Sequence, residues 1–218
     1  IGNLQSVMIP DSVTSIGYAA FFQCHKLKSL VLPDSLTTLS TNTDGATRLY
    51  EGCTSLTSVV IGDGLATLPK DAFKDCTSLQ NVTIGSSVTM IDSTAFDSCK
   101  AITKLHLRTL LVGTSTSFMN TYFSASKDAL KHLEIEFPSS ASASLAQESF
   151  ASCMNLATVR IGYSQVLHVG SGAFSNDGNL TSMTIGTGMN VTFHSDGLYM
   201  CSSLESISFN RSIQNIIG

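Results

Sequence analysis

One line of sequence recurs along this chain, and that periodicity limits the fold more than any other property it has. Leu4-Gln-Ser-Val-Met-Ile-Pro-Asp-Ser-Val-Thr-Ser-Ile16 returns as Leu27-Lys-Ser-Leu-Val-Leu-Pro-Asp-Ser-Leu-Thr-Thr-Leu39, and again from Leu79 through Val82-Thr83-Ile84 to Ile91. Each line closes on Ala-Phe-x-x-Cys, at Ala20-Phe21…Cys24, Ala72-Phe73…Cys76 and Ala95-Phe96…Cys99. Aligned on the opening apolar residue, repeats start at Leu4, Leu27, Leu56, Leu79, Ile102, Leu130, Leu156, Leu180 and Leu204, with spacings of 23, 29, 23, 23, 28, 26, 24 and 24. Residues 1–218 are therefore expected to form one array of about eight full repeats and a partial ninth. A two-domain globule is not required by a length of 218, because repeat arrays escape that count.

The pattern inside one repeat predicts its shape. Alternation at period two, as in Ser6-Val7-Met8-Ile9, predicts a half-buried strand with Val7 and Ile9 inward and Ser6 and Met8 outward. Pro10-Asp11, Pro33-Asp34, Gly62-Asp63, Gly162 and Gly186 mark turns at the strand ends. A shorter extended segment follows at Val13/Ile16, Leu65/Leu68 and Val88/Ile91. Phe and Cys three apart then fit one side of a single helical turn. Such a layer cannot bury its apolar edges alone, so neighbours must stack. The opening strands become parallel, about 4.8 Å apart, and nine of them span roughly 38 Å. Bulkier turns opposite the strands predict curvature, with the strand face concave.

At these residues the chain resembles the BspA-type class of leucine-rich repeats. The line Leu-x-x-Val-x-Ile-Pro-x-Ser-Val-x-x-Ile…Ala-Phe-x-x-Cys-x-x-Leu carries the likeness, and it covers the whole chain. It differs from the common leucine-rich class, which has Asn just after the strand where Pro or Gly stands here. The resemblance implies an α/β horseshoe-like, right-handed leucine-rich-repeat solenoid, a parallel sheet on its concave face and short segments and turns on its convex side. It also implies part of a larger secreted or cell-surface protein of bacteria or protists, associated with adhesion and protein binding. Some repeats depart from the line. Ile102–Ala129 lacks Ala-Phe-x-x-Cys and predicts a larger helix or packed loop around Leu110, Phe118 and Phe123. Ser40–Gly45 predicts an exposed loop, residues 139–144 are Ser/Ala-rich, Asp177 replaces a cysteine, and Gly197-Leu198 replaces Ala-Phe.

Composition narrows function mainly by exclusion. A net charge of −4 gives no general attraction to nucleic acid or an anionic membrane. No apolar run approaches the ~18 residues of a membrane span. Ile1 is not Met, no leader follows it, and it occupies the cysteine phase, so the chain is expected to be a fragment beginning inside a repeat. Cys24, Cys53, Cys76, Cys99, Cys153 and Cys201 share one phase with the core leucines. That favours buried free thiols over a disulfide framework, since outer-wall rungs are expected to lie too far apart. No Cys-x-x-Cys or Cys/His cluster signals zinc, and no metal site or cofactor is expected. No serine sits in a nucleophile elbow, and Gly62-Asp-Gly64 and Gly186-Thr-Gly188 lack the Lys and helix of a phosphate loop. The chain is expected not to be an enzyme.

Most outward strand positions are small or hydroxylic, but the middle rungs carry Lys104, His106, Arg108, His132, Glu134, Glu136 and Arg160. Five of the 28 formally charged residues fall there. Two readings stand: cross-strand ion pairs, with Glu134 between Lys104/His106 and Arg160, or a recognition patch for a protein or glycan partner. Four sequons, at Asn81, Asn179, Asn190 and Asn210, would matter in a secreting eukaryote. A structural spacer without its own ligand is the competing role.

Overall fold

A computed structural model describes residues 2–137, 142–162, 166–186, 190–209 and 215–217. The chain is a parallel-strand leucine-rich-repeat solenoid of about eight turns with little helix, in two compact units: residues 1–103 with 122–126, and residues 104–121 with 127–218. In the first unit, strands Ser29–Leu32, Ser58–Ile61 and Asn81–Ile84 pair in parallel, with Leu30 opposite Val59 and Val59 opposite Val82. In the second, Lys104–Leu107, His132–Glu136, Thr158–Gly162, Ser182–Gly186 and Ser206–Phe209 do the same. Alternation holds: Leu30, Leu32, Val59, Ile61, Val82 and Ile84 are buried while Ser29, Val31, Val60 and Asn81 are exposed. Leu27, Leu56, Leu79 and Ile102 in the first unit and Leu130, Leu156 and Leu180 in the second are all buried ahead of their strands.

Three expectations need correction. No strand forms at Ser6–Ile9: Val7 and Ile9 are only half-buried and Met8 is 90% exposed. Lys28 N–H donates to the Gln5 carbonyl (3.2 Å) just ahead of that segment. Second, the short segments become a true sheet in the second unit, where Ser142–Leu145, Val166–Val169, Asn190–Phe193 and Asn215–Ile217 pair in parallel. In the first unit they stay two residues long, at Ser15–Ile16 beside Thr38–Leu39 and Thr67–Leu68 beside Met90–Ile91. The Ser40–Gly45 insertion falls between those pairs; its loop is pinned by Asn42 Oδ1, which accepts from Asp44 N–H (3.0 Å) and Ala46 N–H (2.9 Å).

Third, the Ala-Phe-x-x-Cys closure is not a helical turn in these rungs but a turn with two left-handed residues. Gln23, Asp75, Ser98, Ser152, Asn176 and Met200, each just before the cysteine phase, have φ between 54° and 63°. Ala19, Arg48, Asp71, Glu148 and Asp196, two before the aromatic phase, have φ between 45° and 59°. Left-handed backbone is costly for side chains other than Gly or Asn, and here cross-rung hydrogen bonds hold it. Phe21 and Gln23 N–H donate to the Leu49 and Glu51 carbonyls (3.1 and 2.9 Å), and Tyr50 and Gly52 N–H to Ala72 and Lys74 (3.0 and 2.8 Å). In the second unit Phe150 and Ser152 donate to Ala173 and Ser175 (2.8 and 2.7 Å) in the same sense. Strand-end turns form a similar column: Asp34 Oδ1 accepts from Asp63 N–H (2.8 Å), and Asp63 Oδ1 from Ser86 N–H (2.7 Å). Glycine is needed in that column, since a Cβ at Gly62 would fall 2.6 Å from the Leu32 carbonyl oxygen.

Aromatic rings fill the space between strands and turns. Phe21, Tyr50, Phe73, Phe96 and Phe123 stack with centroids 4.8–5.5 Å apart. In the second unit Phe118, Phe150 and Phe174 follow at 5.9 and 5.5 Å. The expected departure at residues 102–129 is a 3-10 helix Leu110–Gly113, an α-helix Phe118–Tyr122 and a 3-10 helix Ser124–Ser126, and it returns Phe123 to the aromatic column.

The cysteines are thiols outside any disulfide, and all but Cys201 are buried. Their phase has a polar reason as well as an apolar one. Cys53, Cys76 and Cys99 thiols donate to the Phe21, Tyr50 and Phe73 carbonyls at 3.1–3.3 Å, and Cys201 to Phe174 at 3.1 Å. Ser126 Oγ donates to the Cys99 carbonyl. Asp177, in the same phase, is fully buried, and its Oδ1 accepts from Cys153 N–H (2.7 Å) while Oδ2 has no hydrogen-bond partner. Burial pushes this carboxyl up to about 8, against smaller lowering effects of the Cys153 N–H and Lys127.

Three outcomes follow from this packing. Phe73→Ala should lower the unfolding free energy by about 3–5 kcal/mol in urea titration, while Lys26→Ala leaves it nearly unchanged. A loss below about 1 kcal/mol for Phe73→Ala would remove Phe73 from the core stack. Tyr50 places a buried hydroxyl with no hydrogen-bond partner where other rungs carry Phe. Tyr50→Phe should therefore raise the urea midpoint by the equivalent of about 1 kcal/mol. The raised Asp177 carboxyl contributes stability that is present below the unfolded pKa near 4 and is lost as pH rises through about 8. Asp177→Asn should flatten stability between about pH 4 and pH 8, gaining on the parent most at the alkaline end; parallel pH curves would sink this.

Candidate functional site

The patch expected at the middle rungs is assembled, within the second unit, by strict parallel register. Lys104 lies opposite His132 and His132 opposite Thr158; His106 lies opposite Glu134 and Glu134 opposite Arg160; Glu136 lies opposite Gly162. Arg108 follows the end of the first of these strands, half-buried. The inward residues of the same strands, Leu105, Leu107, Leu133, Ile135, Val159 and Ile161, are at most 2% exposed. The outward row is thus fixed from below by a closed apolar layer, and a slip of one residue would turn the whole patch into the core.

The ion pairing differs from the expected arrangement. Glu134 does pair with Arg160, Oε1 to Nε at 3.4 Å, but His106 turns diagonally to Glu136, with Nε2 3.3 Å from Oε2. Gly162, opposite Glu136, adds no side chain to the row. His106 Nε2 is sealed from solvent and makes no hydrogen bond of good geometry despite that approach. Glu134, Glu136 and His106 are 29–38% exposed and Arg160 61%. His132 is drawn aside, its Nδ1 2.9 Å from Thr158 Oγ1. Thr158, an outward position outside the expected charged patch, sits directly opposite His132.

Other candidates are arranged less purposefully. His25 Nδ1 is 2.9 Å from the Gly52 carbonyl, and His168 and His194 have ring centroids 6.0 Å apart. Burial pushes the Cys53 thiol up to about 12 and the Cys201 thiol up to about 11, so both are poor nucleophiles near neutral pH. The Gly62-Asp-Gly64 turn spends its carboxylate on Ser86 N–H (2.7 Å). A polar concavity of about 490 Å³ is lined by Glu148, Ser171, Gly172, Ser175, Asp196 and Tyr199. Of the sequons, Asn81 is exposed on its strand, Asn179 Nδ2 donates to the Met154 carbonyl (2.7 Å), Asn190 opens a strand, and Asn210 lies outside the described residues. No helix among the described residues is long and apolar enough to cross a membrane.

No curated protein matches the chain. Among solved structures it is similar to a leucine-rich repeat protein of T. pallidum (19% identity, TM-score 0.44, covering 81% of this chain and 77% of that one). A leucine-rich repeat protein from Bacteroides ovatus is 20% identical with a TM-score of 0.38, covering 99% of this chain and 63% of that one. A leucine rich cell surface protein from Faecalibacterium prausnitzii is 18% identical with a TM-score of 0.32, covering 96% and 80%. The BspA type leucine rich repeat region (6 copies) matches residues 1–121 and 116–217. Stacked parallel strands, an aromatic column and in-phase thiols carry that match through the whole chain, which belongs to the BspA-type leucine-rich repeat family.

Proposed function

We propose that this chain is a non-catalytic binding module, a segment of a cell-surface or secreted adhesin, that recognises a protein or glycan through Lys104, His106, Arg108, His132, Glu134, Glu136 and Arg160. The repeat family, a class of interaction modules, supports the general role. The observation that carries the site is the concentration of charge on three strands in register, in a chain where only 13% of residues are charged. A rigid sheet presents these groups with little ordering cost on binding. Both signs are present, so the patch suits a partner bearing mixed charge or dense hydroxyls more than a polyanion. Buried thiols of raised pKa and the absence of a nucleophile elbow support a non-catalytic role. The module needs no nucleic acid and no insertion into a membrane.

The test is a panel of immobilised extracellular-matrix proteins and glycans probed with the intact chain. Arg160→Ala and His106→Ala should each weaken the strongest interaction at least about tenfold while circular dichroism and the urea midpoint stay at parent values. Unchanged affinity in both would exclude the patch. An array with no binder, co-purifying with one fixed partner whatever these residues are, would show the spacer role instead.

A further inference from the structure

The patch holds a second, more local arrangement. One ligating atom each from His106, Glu134 and Glu136 lies within 4.8 Å of the other two, on a sheet face whose backbone is fixed by register. We propose that these three side chains form a binding site for a divalent transition ion of the Zn²⁺ class. This goes beyond partner recognition and holds or fails independently of it, because it concerns the isolated chain.

Donor chemistry, geometry and an orphaned atom agree on this. An imidazole with two carboxylates suits Zn²⁺ and its neighbours, whereas Ca²⁺ and Mg²⁺ require more oxygen ligands and accept no imidazole readily. Zinc–ligand bonds of about 2.0–2.2 Å bring ligating atoms to roughly 3.3 Å from each other in a tetrahedron. His106 Nε2 and Glu136 Oε2 are already 3.3 Å apart, and rotation of the Glu134 side chain closes the third side. His106 Nε2 is the informative atom. It is shielded from solvent, aimed at the carboxylates, and lacks a hydrogen bond of good geometry. A lone pair on that nitrogen, directed at a cation, would remove the deficit. Arg160 occupies Glu134 Oε1, which leaves Oε2 for the ion and orients the carboxylate as outer-shell partners do. Three protein ligands leave one coordination position facing solvent, as in open zinc sites. Metal motifs were not visible in the sequence because these ligands are 28 and 30 residues from His106 and converge only through stacking.

The experiment is calorimetric titration of ZnCl₂ into the chelator-treated intact chain at neutral pH. One equivalent should bind. His106→Ala and Glu136→Gln should each weaken it by about 100-fold or more, beyond the ~10–100-fold typical of losing an outer-shell group. Lys26→Ala and His168→Ala should leave it within about threefold, the second because His168 and His194, with ring centroids 6.0 Å apart, are the alternative pair of imidazoles. Circular dichroism would confirm that these surface variants fold. No saturable heat up to 1 mM Zn²⁺, full binding by His106→Ala, or loss of binding in His168→Ala would each overturn the proposal.

Discussion

The interaction on which the rest depends is the backbone hydrogen bond from one rung to the next. A rung has no closed hydrogen-bonding or apolar surface of its own, so each layer's edges are satisfied only by its siblings. This is visible at three places in the first unit: in the strands, in the Asp34–Asp63–Ser86 turn column, and in the left-handed closures. The aromatic column and the thiols then fit the interior these ladders define. Tyr50, Phe73 and Phe96 stack nearly parallel, with interplanar angles of 5° and 8°, because the rungs that carry them are translated copies.

Much of this was legible in the sequence because translation turns a linear period into a spatial column. The strands, their inward and outward faces, the buried phase of the cysteines and the members of the charged patch all follow from residue phase. What stayed hidden depends on atoms that phase does not encode. Left-handed backbone at Gln23, Asp75 and Ser98 is invisible because those positions are not glycine; among the described residues, Gly52 and Gly172 are the hints. The longer second sheet around Val166–Val169 and Asn190–Phe193 arises in the expanded later repeats, whose alternating pattern is weak in sequence. The thiol-to-carbonyl bonds explain why cysteine, and not merely any small apolar residue, recurs there. Asp177 shows the cost of breaking that rule: it replaces a weak donor with a buried acid whose second oxygen has no hydrogen-bond partner.

The candidate site illustrates the same division. Register alone places Glu134 beside Arg160 and His132 beside Thr158. The diagonal approach of His106 to Glu136, past the directly opposite Glu134, depends on side-chain rotation that register does not encode. Side-chain rotation, not residue phase, thus decides which carboxylate meets the imidazole, and with it whether three donors converge or remain spread along the sheet.

The closures have one more property: among the described residues, the backbone hydrogen bonds from one closure to the next run the same way. In the first unit Phe21, Tyr50 and Phe73 N–H groups each donate forward to Leu49, Ala72 and Ala95, and in the second Phe150 and Phe174 donate forward to Ala173 and Gly197. Peptide dipoles along that wall therefore add instead of cancelling, as they do in an α-helix, but with the positive pole toward later rungs. Each unit is in effect a small electret, and extending it by a further repeat would lengthen the polarised column without reversing it.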